Sequence, residues 1–405
     1  MIWLLACGAL PIMTSAIISP SLPGLHEAYR GEQDLDILAK LVLTTPALAI
    51  ACSAGWAGFM LDRWGRRPVM GMALLLFGCA GIQGLWTQDI FSLMAMRFFF
   101  GLGVAGIMTA TATLLADRYE GADLRRVLGL QAATMGAWGI MSQVLAGWLA
   151  EYSWRGPFLL YAIAFPLLLP LYWLRRSPQH VDPLIDPIPR AAPPRSRMLL
   201  LPYFAALAFV AMSLFSLILV HSPFYFRHVI SIGPRGTALL ISALTAASSL
   251  ASLGLAVLKR KLGPTPILIG GFLCMTFGLL GIGLAPNKWA LIPAMVLSGA
   301  GIGSIMPCLS AWVAQSVRMQ HRGRFLGLLT TINYLGQFLS PFWSQLILMK
   351  TGDRGLFAYA AAIAGGAVGS LFILHFLRLI PQEESLSSSQ SAAVLPSPND
   401  LGRVS

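Results

Sequence analysis

Apolar stretches of roughly 20 residues, long enough for a helix to cross the hydrocarbon core of a bilayer, recur along the whole 405-residue chain. A water-soluble domain of this size needs far more charged surface than the 11% of Asp, Glu, Lys and Arg present. The mean hydropathy of +0.71 is that of a multi-spanning membrane protein. Twelve segments can be drawn, near residues 1–24, 38–61, 69–87, 91–116, 127–150, 156–174, 198–221, 236–258, 266–285, 289–315, 325–349 and 355–377. The 40 glycines and 26 prolines suit such helices, because small residues let neighbours approach closely and neighbours re-satisfy broken backbone.

A net charge of +12 raises the question of nucleic acid, and the distribution of the charge answers it. If Arg63, Arg66 and Arg67 lie in the cytoplasm, every even-numbered connection does too. Those connections and the C-terminal tail then hold 19 of the 28 Lys and Arg residues, among them Arg118, Arg125, Arg126, Arg190, Lys259, Lys261, Arg318 and Arg322. This is the positive-inside bias, and it places both termini in the cytoplasm. The basic balance reports orientation, so no nucleic-acid partner is expected. The five cysteines all fall in apolar segments without metal-ligand spacing and read as small packing residues.

The chain also matches itself at an offset of 198 residues: "GLGVAGIM" from Gly101 lies over "GAGIGSIM" from Gly299, and Gly65, Pro68 and Ser142 fall on Gly263, Pro266 and Ser340. Such duplication is the mark of a transporter built from two like halves. The predicted units are a six-helix bundle over 1–174, a Pro-rich cytoplasmic linker over 175–197, a second bundle over 198–378 and a disordered tail over 379–405.

Between the second and third spans stands "GFMLDRWGRRP", a knot of charge in an apolar chain. Gly65 permits a tight turn, and Gly58 lets a neighbouring helix pack against the end of the second span. Asp62 sits at a helix C-terminus, where the dipole disfavours an acid, and so needs a cation such as Arg66 or Arg63. With twelve spans in two halves, this stretch resembles the major facilitator superfamily, whose Gly-x-x-x-Asp-Arg-x-Gly-Arg-[Arg/Lys] signature is met by Gly58, Asp62, Arg63, Gly65, Arg66 and Arg67. The resemblance implies an all-α integral membrane fold of twelve helices in two pseudo-symmetric bundles. It also implies a conformational lock, in which Asp62 and Arg66 join Asp117 and fasten the halves in the outward-open state. The second half keeps the turn glycine, Gly263, but has Arg260 in place of the acid, so a one-sided lock is expected.

A second resemblance lies in span four, where the family's Arg-x-x-x-Gly-x-Gly-x-x-Gly appears as Arg97, Gly101, Gly103 and Gly106. Phe100 stands where many drug exporters carry Gln, and span five reads "SQVLAG" in place of their Gly-Pro-x-x-Gly-Gly. The sugar-porter ending of span six is also missing.

An ionisable group at membrane depth is costly and so marks function. Arg97 reads as the one clear charge set into a span, and no Asp or Glu occurs from Met198 to Gly352. Arg97 either makes the cavity electropositive or bonds backbone carbonyls and serves structure; the residues leave both open. Polar residues at helical spacing add Gln131 and Trp138 in span five and Asn333 and Gln337 in span eleven as candidate substrate contacts. The serines that share these faces read as helix glue. His221 and His228 are placed near the outer surface.

No nucleotide loop, metal-ligand cluster or nucleophile constellation appears, so neither enzymology nor a cofactor is expected. The reading is a monomeric secondary transporter of the bacterial cytoplasmic membrane, using protons as coupling ion. Its small-molecule substrate is an organic anion or zwitterion, such as a carboxylate metabolite or metallophore, and the direction is export. The rivals are a proton-coupled multidrug exporter of lipophilic cations, which wants a buried acid, and a membrane sensor or scaffold that moves nothing.

Overall fold

The computed structural model describes residues 1–173, 198–258, 262–318 and 321–377; the expected linker and tail, and Arg260, lie outside them. The first half holds α1 (Ile2–Ala28), α2 (Leu35–Trp64), α3 (Arg66–Ile82), α4 (Ile90–Ala116), α5 (Gly121–Tyr152) and α6 (Gly156–Leu171). The second holds α7 (Leu201–Val229), α8 (Pro234–Leu258), α9 (Pro264–Leu284) and α10 (Lys288–Ser316). Its last two helices, α11 (322–351) and α12 (353–376), run on from one another, broken only where Gly352 takes φ 68°. Among the described residues nine helical stretches are long and apolar enough to cross a membrane, and α11 with α12 count as one of them. Adding α5 and α6 completes twelve. No strand occurs among the described residues.

Each departure from regular helix has a local cause. Most of α6 is 3₁₀ turn: Pro157 and Pro166 open its two 3₁₀ segments, and Pro166, inside the span, has no N–H to give an i→i−4 bond. In α1, 3₁₀ segments open at Leu10 and Ser19, next to Pro11 and Pro20. Residue Gly65 adopts φ 85° and ψ 161°, a conformation that is essentially glycine's alone, so α2 can turn into α3 with no connecting loop. The expectation for Gly263 needs correcting: at φ −66° and ψ 171° it takes a conformation open to any residue.

The sequence offset is carried into the packing. Asp89 caps α4 by accepting from the backbone N–H of Ser92 at 2.7 Å, and its counterpart Asn287 caps α10 through Ala290 at 3.1 Å. Helix α4 packs between α2 and α3, as α10 does between α8 and α9; α3 meets α6 as α9 meets α12; α1 meets α5 as α7 meets α11. A Cβ at Gly101 would lie 2.5 Å from the Pro46 carbonyl oxygen, and one at Gly299 would strike the Leu244 carbonyl. Glycine at both positions therefore lets two backbones touch. Residues such as Phe277, Leu284, Leu346 and Phe376 are more than half exposed on the outside, which suits a lipid-facing surface.

The halves meet through α5 against α8 and α2 against α11. The end bearing Arg63, Arg66 and Arg67 is here the basic end, and the opposite one the outer end.

Candidate functional site

Close contacts between the halves gather toward the outer end. Along α5 and α8, a Cβ at Gly136 would lie 2.6 Å from Ser249 Oγ, and one at Gly147 would overlap the Ala238 side chain. Between these points the Gln143 amide donates to Thr245 Oγ1 at 2.9 Å. Ser19 donates across the seam to the Leu219 carbonyl at 2.5 Å, and Arg227 meets Glu27 at 2.7 Å. On α2 and α11, Lys40 Nζ donates to Gln345 Oε1, and Thr331 Oγ1 donates to the Ala51 carbonyl at 3.4 Å. These contacts join the halves at the outer end. Further toward the basic end, nothing among the described residues lies within 4 Å of a Cβ built at Gly58, Gly129, Gly254, Gly323 or Gly327. Among the described residues no atom of another helix lies within 4 Å of a Cβ at Gly58 in this conformation.

Of the lock residues, Arg66 engages Asp117 through Nε to Oδ2 at 2.5 Å and Nη2 to Oδ1 at 3.0 Å, a two-point ion pair. Arg67 Nη2 donates to the Leu171 carbonyl at 2.6 Å. The turn at Gly65 is thus tied to the end of α4 and to α6, all within the first half. Arg63 is exposed, and the Asp62 side chain lies outside what is described.

Arg97 has no solvent exposure, and its hydrogen-bond partners all belong to the first half. Its Nε donates to the Val42 carbonyl at 3.2 Å, Nη1 to Tyr161 Oη at 3.3 Å and Nη2 to the Thr14 carbonyl at 2.5 Å. The Phe100 ring, in the position where exporters have Gln, lies 4.5 Å from its Cζ. Tyr161 passes the network on to the Met13 carbonyl at 3.1 Å. The arginine therefore joins α1, α2, α4 and α6, and the geometry agrees with the carbonyl-bonding alternative.

The other candidates spread over several surroundings. Gln131 is half-buried with its amide against Gly8 of α1. Trp138 Nε1 contacts Met13 Sδ at 3.1 Å. Gln337 Nε2 donates to Ser15 Oγ at 2.9 Å and so links the halves through α11 and α1. Asn333 Oδ1 is buried without a hydrogen-bond partner, an acceptor left over at membrane depth. Ser340 donates to the Ser213 carbonyl at 2.8 Å, tying α11 to α7.

Two expectations require correction. Lys40, only 4% exposed, is a second charge set into a span. His221 is 2% exposed and meets Ser344 Oγ at 2.7 Å, well away from the surface, because α7 continues to Val229. Lys40, His221, Gln143 and Gln345 belong to the polar part of the outer seam, and sequence reading passed over all of them but His221. The signal for Lys40 was its place inside an apolar run, one turn beyond Asp36.

Two cavities complete the picture. One of 630 Å³ opens at the outer end between the halves, lined by Ser21, Gly24, Glu27, Glu151, Trp154 and Arg227. The other, 620 Å³, lies within the first half among Met60, Trp64, Met72, Leu76, Cys79 and Leu102, and no charged side chain among the described residues lines it.

Twelve helices in two like-built halves, joined along two seams, define a membrane transporter of the two-bundle class. The chain belongs to the Major Facilitator Superfamily, whose family model matches residues 4–341 and again 231–399. It is 26% identical over 339 residues to the class C tetracycline resistance protein of Escherichia coli, covering 80% of this chain and 83% of that protein. Among solved structures it resembles the inward-open xylose transporter XylE of E. coli, with TM-score 0.75 and 14% identity over 94% of this chain and 96% of that one. It resembles equally a bacterial homologue of the human lysosomal transporter Spinster in an inward-facing state, with TM-score 0.75 and 15% identity over 94% and 98%. These two likenesses concern the fold alone.

Proposed function

We propose that this transporter carries a small organic anion or zwitterion out of the cell by alternating access, with both termini and the basic end in the cytoplasm. The observation that carries the substrate class is the make-up of the seam. Among the described residues, the charge-forming side chains buried between the halves are Lys40 and His221, and no carboxylate is buried with them. A site with donors and no acid favours a negative group. The open space at glycines of the basic end supports an inward-facing conformation, the state that loads a solute for export. The lock turn at Gly65, held by Arg66 and Asp117, docks on the second half when the basic end closes. Protons serve as the coupling ion, and the protein acts as a monomer in the inner membrane.

Likeness to a tetracycline resistance protein favours outward movement, since a transporter protects its host most simply by removing a compound. It also keeps a multidrug exporter as the second reading. Proteoliposomes with an imposed pH gradient decide between them, using a panel of carboxylates, zwitterions and lipophilic cations. Gradient-driven movement of carboxylates or zwitterions is expected. Movement of lipophilic cations alone would install the multidrug reading, and no movement of any solute would favour a sensor.

A further inference from the structure

Lys40 lies at the outer end of the seam, where α2 meets α11, and is almost wholly enclosed. Its ammonium donates to Gln345 Oε1 and lies 5.6 Å from the centre of the Phe224 ring. Among the described residues no carboxylate comes within 4 Å of it. Of the acids nearby, Asp36 is one turn earlier on α2 and engages His26 at 2.8 Å, Glu27 is held by Arg227, and Asp353 stands at the start of α12. Next to Gln345 on α11, Ser344 meets His221. The cluster thus combines an ammonium, an amide, a hydroxyl and an imidazole, with no acid to match them.

A buried cation whose partners are all neutral is poorly compensated, because an amide and a ring replace only part of its lost hydration. Shutting the outer end imposes that cost, and parting α2 from α11 removes it. An oxyanion reaching the opened seam would meet the ammonium and the Gln345 amide N–H groups together. It would bind the open state better than the shut one and so shift the population toward it.

Resting on the alternating-access reading above, we propose that Lys40 and Gln345 form an oxyanion site exposed only when the outer end opens. The site receives the carboxylate or phosphate group of a solute on that side, and an anion held there keeps the outer end open.

The test uses the full chain in nanodiscs, with Cys7, Cys52, Cys79, Cys274 and Cys308 replaced by Ser and one reporter introduced as Ser19→Cys. Ser19 is fully buried in the shut outer seam, so alkylation by N-ethylmaleimide reports opening. Succinate and inorganic phosphate are the anion probes, with tetraethylammonium as the cationic control. Succinate should speed alkylation about fivefold, as expected for a ligand that prefers the open state, and tetraethylammonium should leave the rate unchanged. A response to phosphate as well would mark a general oxyanion site, and one to succinate alone a carboxylate site. Lys40→Met should abolish the response and Lys40→Arg should keep it. Gln345→Glu supplies Lys40 with an internal carboxylate and should abolish the response in a fully folded protein. The proposal is overturned if succinate and phosphate leave the rate unchanged, if tetraethylammonium acts as well as they do, or if Lys40→Met or Gln345→Glu responds like the parent. Loss of all solute movement with the succinate response intact would remove the transporter reading and leave this site standing; the reverse result would remove the site alone.

Discussion

Arg97 donates to the Val42 and Thr14 carbonyls and the Tyr161 hydroxyl from a position sealed against solvent. Arg97→Ala leaves these buried acceptors unpaired at about 1–3 kcal/mol each, so its melting temperature in detergent should fall sharply while the preference among anionic and cationic solutes stays the same. An unaltered melting temperature with a switched preference would return Arg97 to the substrate site. Gly65→Ala places a side chain where φ is 85°, at a cost of about 1–3 kcal/mol. Because no described neighbour lies within 4 Å there, the loss should come from backbone strain alone, and Gly65→Asn, which relieves strain only in the left-handed helical region, should lose about as much as Gly65→Ala in the same melting assay. The sequence displays Arg97 as a charge in a span but hides its partners, which come from three other helices. Lys40 is hidden for the opposite reason: its burial is made by α11, some 300 residues away, as its contact with Gln345 shows.

The offset of 198 residues predicts matched elements, and the glycines of α4 and α10 are the clearest of them. At Gly101 and Gly299 the obstacle to a Cβ is a backbone oxygen, which cannot rotate away. Gly101→Ala and Gly299→Ala should therefore each destabilise by about 1–3 kcal/mol, measured by chemical denaturation in detergent, whereas Gly129→Ala should be neutral. A neutral Gly299→Ala would deny that the halves share this packing. Spans and the paired glycines were legible because they depend on local pattern repeated twice. The 3₁₀ character of α6 was written in its prolines but was read as ordinary helix. The openness at Gly58 could not be read, since it depends on the conformation of the whole molecule. Arg66 and Asp117 belong to this scale as well: they hold the turn between α2 and α3 against α4. Arg66→Ala should leave the melting temperature nearly unchanged, as expected for a partly exposed ion pair, and lower the population in which the basic end is closed.

At the scale of the molecule, the two seams α5–α8 and α2–α11 are joined by Gln143, Thr245, Lys40 and Gln345 at the outer end. Duplication in the sequence announced two halves, but which faces of α2, α5, α8 and α11 touch is a relation between halves, and no repeat encodes it. The central claim is that the two ends open in turn. It is tested most directly by distances between spin labels in one preparation, at the exposed positions Glu32 and Ser231 for the outer end and Arg126 and Gly254 for the basic end. Without solute the outer pair should be short and the basic pair long. On adding a transported solute, a second population should appear at each end, with the outer distance lengthening as the basic one shortens. Fixed distances at both ends under every condition, or two ends that widen together, would contradict the account.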